Sequence, residues 1–277
     1  MDDKKQTTKY SVMMSVYAKE TPQYLKMSIE SMLGQTCPPD ELVLVCDGRL
    51  GEGLERCVIR FEQLYPTVFK AVRLKENVGT GNAANAGIAA CRNEIIVKMD
   101  SDDVALPFRC EKQLAYLKRH PETQLLGGFI EEFDSDTGAV IAVKKTPVTH
   151  EEILRYARRR NPINNQTLVF QKSFVMKNGG YKAMTRCEDY DFITRMLIAG
   201  ARAANLPEVL VRYRVDAGNY ERRRNFANTK AFIQVRRGLL KAGFSSLADF
   251  LIPSAAQIIL FILPFKLTAG IYKKLLR

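Results

Sequence analysis

Glu94-Ile95-Ile96-Val97-Lys98-Met99-Asp100-Ser101-Asp102-Asp103 is the stretch that decides the fold. Ile95, Ile96 and Val97 form a short β-branched run, the pattern of a strand buried on both faces. Leu106 and Pro107 follow, and then a helical pattern, so three carboxylates crowd the carboxyl end of that strand. In open α/β sheets this edge is where ligands bind. Like charges this close raise one another's pKa unless a cation neutralises them. A hard divalent ion, Mg2+ or Mn2+, suits them, because it takes few protein carboxylates and completes its shell with phosphate oxygens and water. The motif therefore predicts a metal–diphosphate site; the plainer reading is a solvated acidic turn that caps the next helix.

Outward from this strand, elements alternate. Tyr10–Tyr17 reads as a first strand, and Pro22 opens a helix through about Gln35 with Leu25, Ile29, Met32 and Leu33 at helical spacing. Leu42–Cys46 is a second buried strand ending at Asp47-Gly48, Leu54–Tyr65 a helix, Phe69–Leu74 a third strand and Asn82–Cys91 an Ala-rich helix. Strands alternating with helices predict a doubly wound, mainly parallel sheet. Downstream the pattern predicts a helix over Phe108–Arg119 and strands over Gln124–Phe133 and Ala139–Lys145 joined by a turn. It also predicts a basic helix over His150–Arg160, a strand within Asn161–Phe170 and a helix over Asp189–Ala199. A strand over Glu208–Arg214, a basic helix over Arg222–Ala242 and an apolar tail from Phe244 complete the chain. Two parts result: a catalytic domain over 1–220 and a basic, apolar helical tail over 221–277.

With 277 residues, 46% of them apolar and 26% charged, the chain can form a sizeable core. Six cysteines without a C-x-x-C pair speak against a disulfide framework or a structural zinc site. Two histidines make histidine catalysis or a histidine metal cage a poor reading, and the polar N-terminus has no signal-peptide pattern. The net charge of +12 is concentrated at the end of the chain, where Arg202–Arg277 carries fourteen Lys/Arg against four Asp/Glu. Such a block suits anionic lipid, anionic substrates or nucleic acid. Its basic residues are not interleaved with aromatics in a recognisable module, so no nucleic-acid partner is expected.

Ser15 and Tyr17, Asp47, and Asp100 to Asp103 all fall at strand ends on one sheet edge. A nucleotide fits there, with Tyr17 suited to stacking on a base and Asp47 to accepting a base N–H. Gly79-Thr80-Gly81-Asn82-Ala83-Ala84 offers a rival, since it matches the loose dinucleotide pattern G-x-G-x-x-A; it follows the third strand rather than the first. Glu188-Asp189-Tyr190-Asp191 opens a helix, where Asp189 is either an N-cap or a general base for an acceptor hydroxyl.

Taken together these residues resemble the family 2 glycosyltransferases of the GT-A fold. The resemblance runs from Tyr10 to about Arg214. It is carried by the Ser-Val-x-x-Ser-Val-Tyr strand, Ser31-x-x-x-Gln35-Thr36, Asp47-Gly48, Asn77-x-Gly79 with Asn85-x-Gly87, Met99–Asp103, Gly179-Gly180-Tyr181 and Glu188–Asp191. Asn205-Leu206-Pro207-Glu208 and the closing Tyr272–Arg277 look most like bacterial enzymes of exopolysaccharide, capsule and O-antigen assembly. The resemblance implies an inverting transfer from a nucleotide-sugar donor, usually UDP-linked. Asp47 would hold the base, Asp100 the ribose side and, with Asp102, the Mn2+ or Mg2+, while Asp189 would be the base. Ser15, Tyr17, Glu20, Asn77, Gly79, Asn85, Ser101, Glu188 and Arg214 would complete the donor site.

Ala84, Asn165 and Asp216 depart from the family pattern, where relatives often carry an Arg or Leu, a His and a metal-binding His. No Gln-x-x-Arg-Trp motif of processive synthases is present, and there is no Trp at all, which favours single addition. The acceptor would be a saccharide linked to undecaprenyl diphosphate. The other class of function is a catalytically silent GT-A scaffold in an assembly complex; intact Asp47, Asp100, Asp102 and Asp189 speak against it. Phe250–Phe265 is apolar but interrupted by Pro253, Ser254, Gln257 and Pro264, and shorter than the about 20 residues a membrane span needs. With basic flanks it is expected to lie on an anionic membrane surface, peripherally, at the cytoplasmic side of a bacterial plasma membrane.

Overall fold

The computed structural model describes residues 8–215 and 225–262. The element order begins β1 (Tyr10–Val16), α1 (Pro22–Leu33), β2 (Glu41–Cys46), α2 (Glu52–Leu64), β3 (Phe69–Arg73), α3 (Thr80–Ala90) and β4 (Ile95–Asp100). It continues with β5 (Val104–Ala105), α4 (Arg109–Arg119), β6 (Thr123–Asp134), β7 (Val140–Lys144), α5 (His150–Ala157), β8 (Val169–Gln171), α6 (Lys172–Lys177), α7 (Glu188–Ile198) and β9 (Arg202–Val215). Two C-terminal helices follow, α8 (Phe226–Lys241) and α9 (Leu247–Ile262).

The strands form a nine-stranded sheet in the order β3-β2-β1-β4-β8-β6-β9-β5, with β7 on β6. β3, β2, β1 and β4 are parallel, as the alternation of strands and helices predicts. The second half mixes directions: β8 runs antiparallel to β4 and β6, β6 runs parallel to β9, and β5 antiparallel to β9. Side chains of β1 and β2 alternate between two cores, because successive residues of a strand point to opposite faces. Val12, Met14, Leu42 and Leu44 pack with α1, α2 and α4, whereas Met13, Val43 and Val45 pack with α3, α5 and α7.

Four expectations change. The last strand is longer than Glu208–Arg214: it runs Arg202–Val215 and passes Pro207 by a bulge, with Leu206 opposite Gly128 but Val209 opposite Phe129. The strand expected within Asn161–Phe170 shrinks to Val169–Gln171 after a 3-10 turn at Asn165–Thr167, because Pro162, Asn164 and Asn165 favour turn geometry. The two-residue β5 and the helix α6 carry too short a pattern to be anticipated. The dinucleotide pattern receives a packing explanation: a Cβ on Gly81 would sit 2.4 Å from the Lys182 carbonyl oxygen, so the glycine allows α3 to approach the 180–182 loop.

α8 packs on α7 through Ala231, Val235 and Leu239 against Cys187 and Tyr190. Asn225 caps it, its side chain accepting the Asn228 N–H. α9 buries Asp249 and Ser254 and exposes Leu251, Ile252, Ile258, Ile259 and Ile262. No helix among the described residues is long and apolar enough to cross a membrane. Asp216, Arg222 to Arg224, Lys266 and the closing basic residues of the tail lie outside the described residues.

Candidate active site

Register sets the edge. Ser15 pairs with Asp100 on β4 and with Val45 on β2, so the ends of β1, β2 and β4 stand level. Tyr17 projects beyond β1 with 42% of its surface exposed, open for a planar ligand. Asp47 follows β2, and its N–H donates to the Val16 carbonyl at 2.8 Å. Its carboxylate accepts the N–H of Val78 at 2.7 Å and of Gly79 at 3.2 Å, and Asn77 Nδ2 donates to its carbonyl at 3.3 Å. The Asn77-x-Gly79 loop therefore holds Asp47 in place, and Gly48, at φ +83°, makes room for it. A Cβ there would sit 2.7 Å from the Asn77 nitrogen.

The acidic turn is braced from three sides. From α1, Ser28 Oγ donates to the Asp100 carbonyl at 2.7 Å and Ser31 Oγ accepts the Ala105 N–H at 3.1 Å. Gln35 Nε2 donates to the Leu106 carbonyl at 2.9 Å, and its Oε1 accepts the Cys110 N–H at 2.9 Å. The Ser31-x-x-x-Gln35 spacing thus has a physical task, since residues four apart on a helix reach the same partner segment. From β9, the Arg214 N–H donates to Asp103 Oδ1 at 2.9 Å and Arg214 Nε to the Asp102 carbonyl at 2.9 Å. The Arg214 guanidinium also lies over the Tyr24 ring at 3.9 Å. From below, Lys98 pairs with Asp100. The fully buried Arg109 donates through Nη2 to the Lys98 carbonyl at 2.7 Å.

Carboxylates dominate the field here. Burial, then Asp100 and Glu20, push Asp102 up to about 7. Asp103 is buried, with Oδ2 lacking a hydrogen-bond partner, and burial followed by Asp102 and Asp100 raises it well above the usual carboxylate range. Glu20 Oε2 accepts the Ser101 hydroxyl at 2.7 Å, which ties the acidic turn to the segment after Tyr17. Among the described residues no three His, Cys, Asp or Glu side chains form a closed metal cage. The pair Asp100 and Asp102 nonetheless suits a hard divalent ion, since such ions keep most of their shell for water and phosphate and would relieve the repulsion that protonates Asp102.

The first turn of α7 brings the second set of carboxylates. Burial and then Asp189 raise the Glu188 carboxyl, with Asp100 adding and Lys98 opposing, so the α7 start and the acidic turn share one field. Asp189 Oδ1 accepts the Tyr190 N–H at 2.8 Å, and Oδ2 accepts Asn161 Nδ2 at 3.0 Å. Asn85, expected among the donor contacts, accepts the Tyr181 N–H and donates to the Tyr181 carbonyl, both at 2.8 Å, and so holds the Gly179-Gly180-Tyr181 turn on α3. The structure thus brings Ser15, Tyr17, Glu20, Asp47, Asp100, Ser101 and Asp102 to one edge. It gives Asn77, Gly79, Asn85 and Arg214 partners within the chain that brace that edge.

Asn161 and Arg109 were not anticipated. Arg109 had one visible sign: a cation at the first position of a helix, where the macrodipole disfavours it, directly after an acidic run. Asn161 had none, because its partner is 28 residues away.

The model of glycosyl transferase family 2 matches residues 11–180. The amylovoran biosynthesis glycosyltransferase AmsE of Erwinia amylovora is 35% identical over 269 residues, covering 96% of this chain and 98% of that protein. The UDP-Gal:alpha-D-GlcNAc-diphosphoundecaprenol beta-1,3-galactosyltransferase of Escherichia coli is 30% identical over 271 residues, covering 98% of each chain. Among solved structures, a mannosyltransferase of Pyrobaculum calidifontis in complex with GDP-Man and Mn2+ superposes with a TM-score of 0.66 at 15% identity, over 97% of this chain and 80% of that one. The sheet and its carboxylate edge are those of the GT-A fold, and the chain belongs to glycosyl transferase family 2.

Proposed function

We propose that this chain is an inverting glycosyltransferase that moves a sugar from a UDP-linked donor to a hydroxyl of a saccharide carried on undecaprenyl diphosphate, in the assembly of a bacterial surface polysaccharide. The observation that carries the reading is the shared electrostatic field of Asp100 and the α7 carboxylates at one end of the sheet. Names of relatives support the remaining terms: amylovoran biosynthesis for one, a UDP-Gal donor and a diphosphoundecaprenol acceptor for another.

In this reading the nucleotide lies along the β1–β2 edge, with Tyr17 against the base and Asp47 beside it. Mn2+ or Mg2+, held by Asp102 and Asp100, supplies charge neutralisation for the diphosphate leaving group. Asp189 accepts the proton of the acceptor hydroxyl as that oxygen forms a bond to the anomeric carbon and the bond to the nucleoside diphosphate breaks. A single displacement needs no second carboxylate as nucleophile, and it inverts the anomeric centre. Glu188, uncharged when its pKa is raised, leaves Asp189 as the accepting group.

The exposed apolar face of α9 supports a peripheral position on the cytoplasmic face of the plasma membrane, where such an acceptor is found. Calorimetry of UDP binding tests the donor site. Wild-type protein is expected to bind UDP more tightly with Mn2+ than without, and Asp102→Ala to lose that difference. UDP affinity unchanged by Mn2+ in the wild type would refute the metal assignment.

A further inference from the structure

Away from the carboxylate edge, α5, the segment after it, α8 and α9 enclose a groove of about 1050 Å3. That volume is at the upper end of what small-molecule sites use. Its wall is unusually cationic. Arg155, Arg158, Arg159, Arg160 and Arg236 line it, against two carboxylates, Glu152 and Asp249. Both carboxylates already have partners: Glu152 accepts the Thr149 N–H in a capping box, and Asp249 accepts Arg159 Nε at 2.6 Å and the Ser246 hydroxyl at 2.8 Å. Arg155 and Arg158 make no ion pair among the described residues.

Arg236 gives the second observation. It is only 5% exposed, yet among the described residues it faces no carboxylate partner. Its Nη1 and Nη2 donate to the carbonyls of Pro253 and Arg159 at 3.2 and 3.0 Å, and its Nε is buried without a partner. A buried cation paired only with carbonyls is costly unless an anion completes it.

The groove joins two other features. Its arginine wall runs into Asn161, which donates to Asp189 Oδ2 at 3.0 Å, and Tyr190 Oη donates to the Ala157 carbonyl at 2.8 Å. One end of the wall therefore holds the start of α7. On the other side, Ile252 and Ala256 line the groove, and Ile259 continues their stripe along α9 at helical spacing, with Ile252 60% and Ile259 55% exposed.

We infer that this groove binds the diphosphate of a lipid-linked acceptor, with its isoprenoid chain laid along the Ile252–Ile259 stripe of α9 and its sugar at Asp189. The inference rests on the proposed lipid-diphosphate acceptor and adds where that acceptor is gripped. Concavity and the buried Arg236 favour one diphosphate over the many headgroups of a flat anionic bilayer. Guanidinium groups match phosphate oxygens in paired hydrogen bonds. An acceptor held here by its anchor leaves its terminal sugar to be selected elsewhere, so the enzyme would tolerate changes in the lipid less than the removal of the diphosphate.

The test uses full-length protein with saturating UDP and Mn2+, so that the donor site is filled. Farnesyl diphosphate, farnesol and inorganic diphosphate are titrated against wild type and against the charge-reversed pair Arg155→Glu/Arg158→Glu, whose sites are exposed. Farnesyl diphosphate is expected to bind the wild type more tightly than either farnesol or inorganic diphosphate, and the charge-reversed pair at least about tenfold more weakly. UDP affinity, read on the same samples, stays unchanged in the pair and reports that the fold is intact. Equal farnesyl diphosphate binding by both proteins, its complete displacement by UDP, or binding matched by phosphatidylglycerol vesicles would each overturn the inference. Failure of UDP to bind the wild type would instead count against the donor site, and the comparison of the two proteins would still decide the groove.

Discussion

Asn161 Nδ2 donates to Asp189 Oδ2 at 3.0 Å, so the candidate base is oriented by a residue from a different part of the chain. Asp189 Oδ1 is held by the Tyr190 N–H at 2.8 Å. With both oxygens restrained, the carboxylate has one presentation toward the edge of the sheet. Asn161→Ala removes one restraint without removing the base. We expect kcat to fall about tenfold or more while the KM for the donor changes little, since orientation acts on the chemical step. Steady-state kinetics check this; a donor KM that rises as much as kcat falls would place Asn161 in donor binding instead.

Metal and proton compete at the acidic turn. Asp102, pushed up to about 7, carries a proton over part of the neutral range when no ion is bound. Its folded pKa lies above the unfolded value, so the folded state binds the extra proton between about pH 4 and 7, and stability falls as pH rises through that window. Asp102→Asn removes this penalty. In metal-free buffer we expect the variant to be more stable than wild type at pH 8 by on the order of 2 kcal/mol, a few degrees in Tm. The difference should fade toward pH 4. Mn2+ affinity of the wild type should weaken by about tenfold per pH unit below 7, because binding must displace that proton. Calorimetry at pH 5.5, 6.5 and 7.5 reads it directly.

Arg109 is the buried cation beneath the turn, and removing it leaves the Lys98 carbonyl and the neighbouring carboxylates uncompensated. Arg109→Met keeps much of the volume. We expect a loss of about 3 kcal/mol in urea unfolding, in the range seen when one member of a buried charged network is removed. A change below about 1 kcal/mol would show that water or neighbouring groups replace it.

Gly48 makes a narrower prediction. At φ +83° with the Asn77 nitrogen 2.7 Å from any Cβ, Gly48→Ala combines backbone strain with a clash. We expect about 2–3 kcal/mol of destabilisation and weaker UDP binding, because the displaced 77–79 loop holds Asp47. Native UDP affinity in a destabilised variant would separate Asp47 from the donor.

What could be read from the linear sequence, and what could not, follows from range. The parallel half of the sheet and the carboxylates at its edge come from local signals: β-branched runs, helical spacing of apolar residues and acidic residues directly after strands. Asp47, Asp100 and the start of α7 were therefore visible. The groups that brace them were not, because Ser28 reaches Asp100 across 72 residues and Arg214 reaches Asp103 across 111. β9 was read too short because Pro207 is a strand breaker by propensity, and only the bulge opposite Gly128 and Phe129 lets the strand continue. α9 was read by composition alone. Its burial runs against composition, with Asp249 and Ser254 inside and Ile252, Ile259 and Ile262 outside.

The central claim is that Asp189 takes a proton during sugar transfer from a UDP-linked donor, and the most direct measurement is UDP release by Asp189→Asn beside wild type. Both proteins are incubated with Mn2+, UDP-Gal, UDP-Glc or UDP-GlcNAc, and a bacterial membrane lipid extract as the source of acceptor. We expect lipid-stimulated UDP release by the wild type with at least one donor. Asp189→Asn should bind UDP with native affinity and release it at least about a hundredfold more slowly, the scale of a lost general base. Near-native UDP release by Asp189→Asn would contradict the assignment.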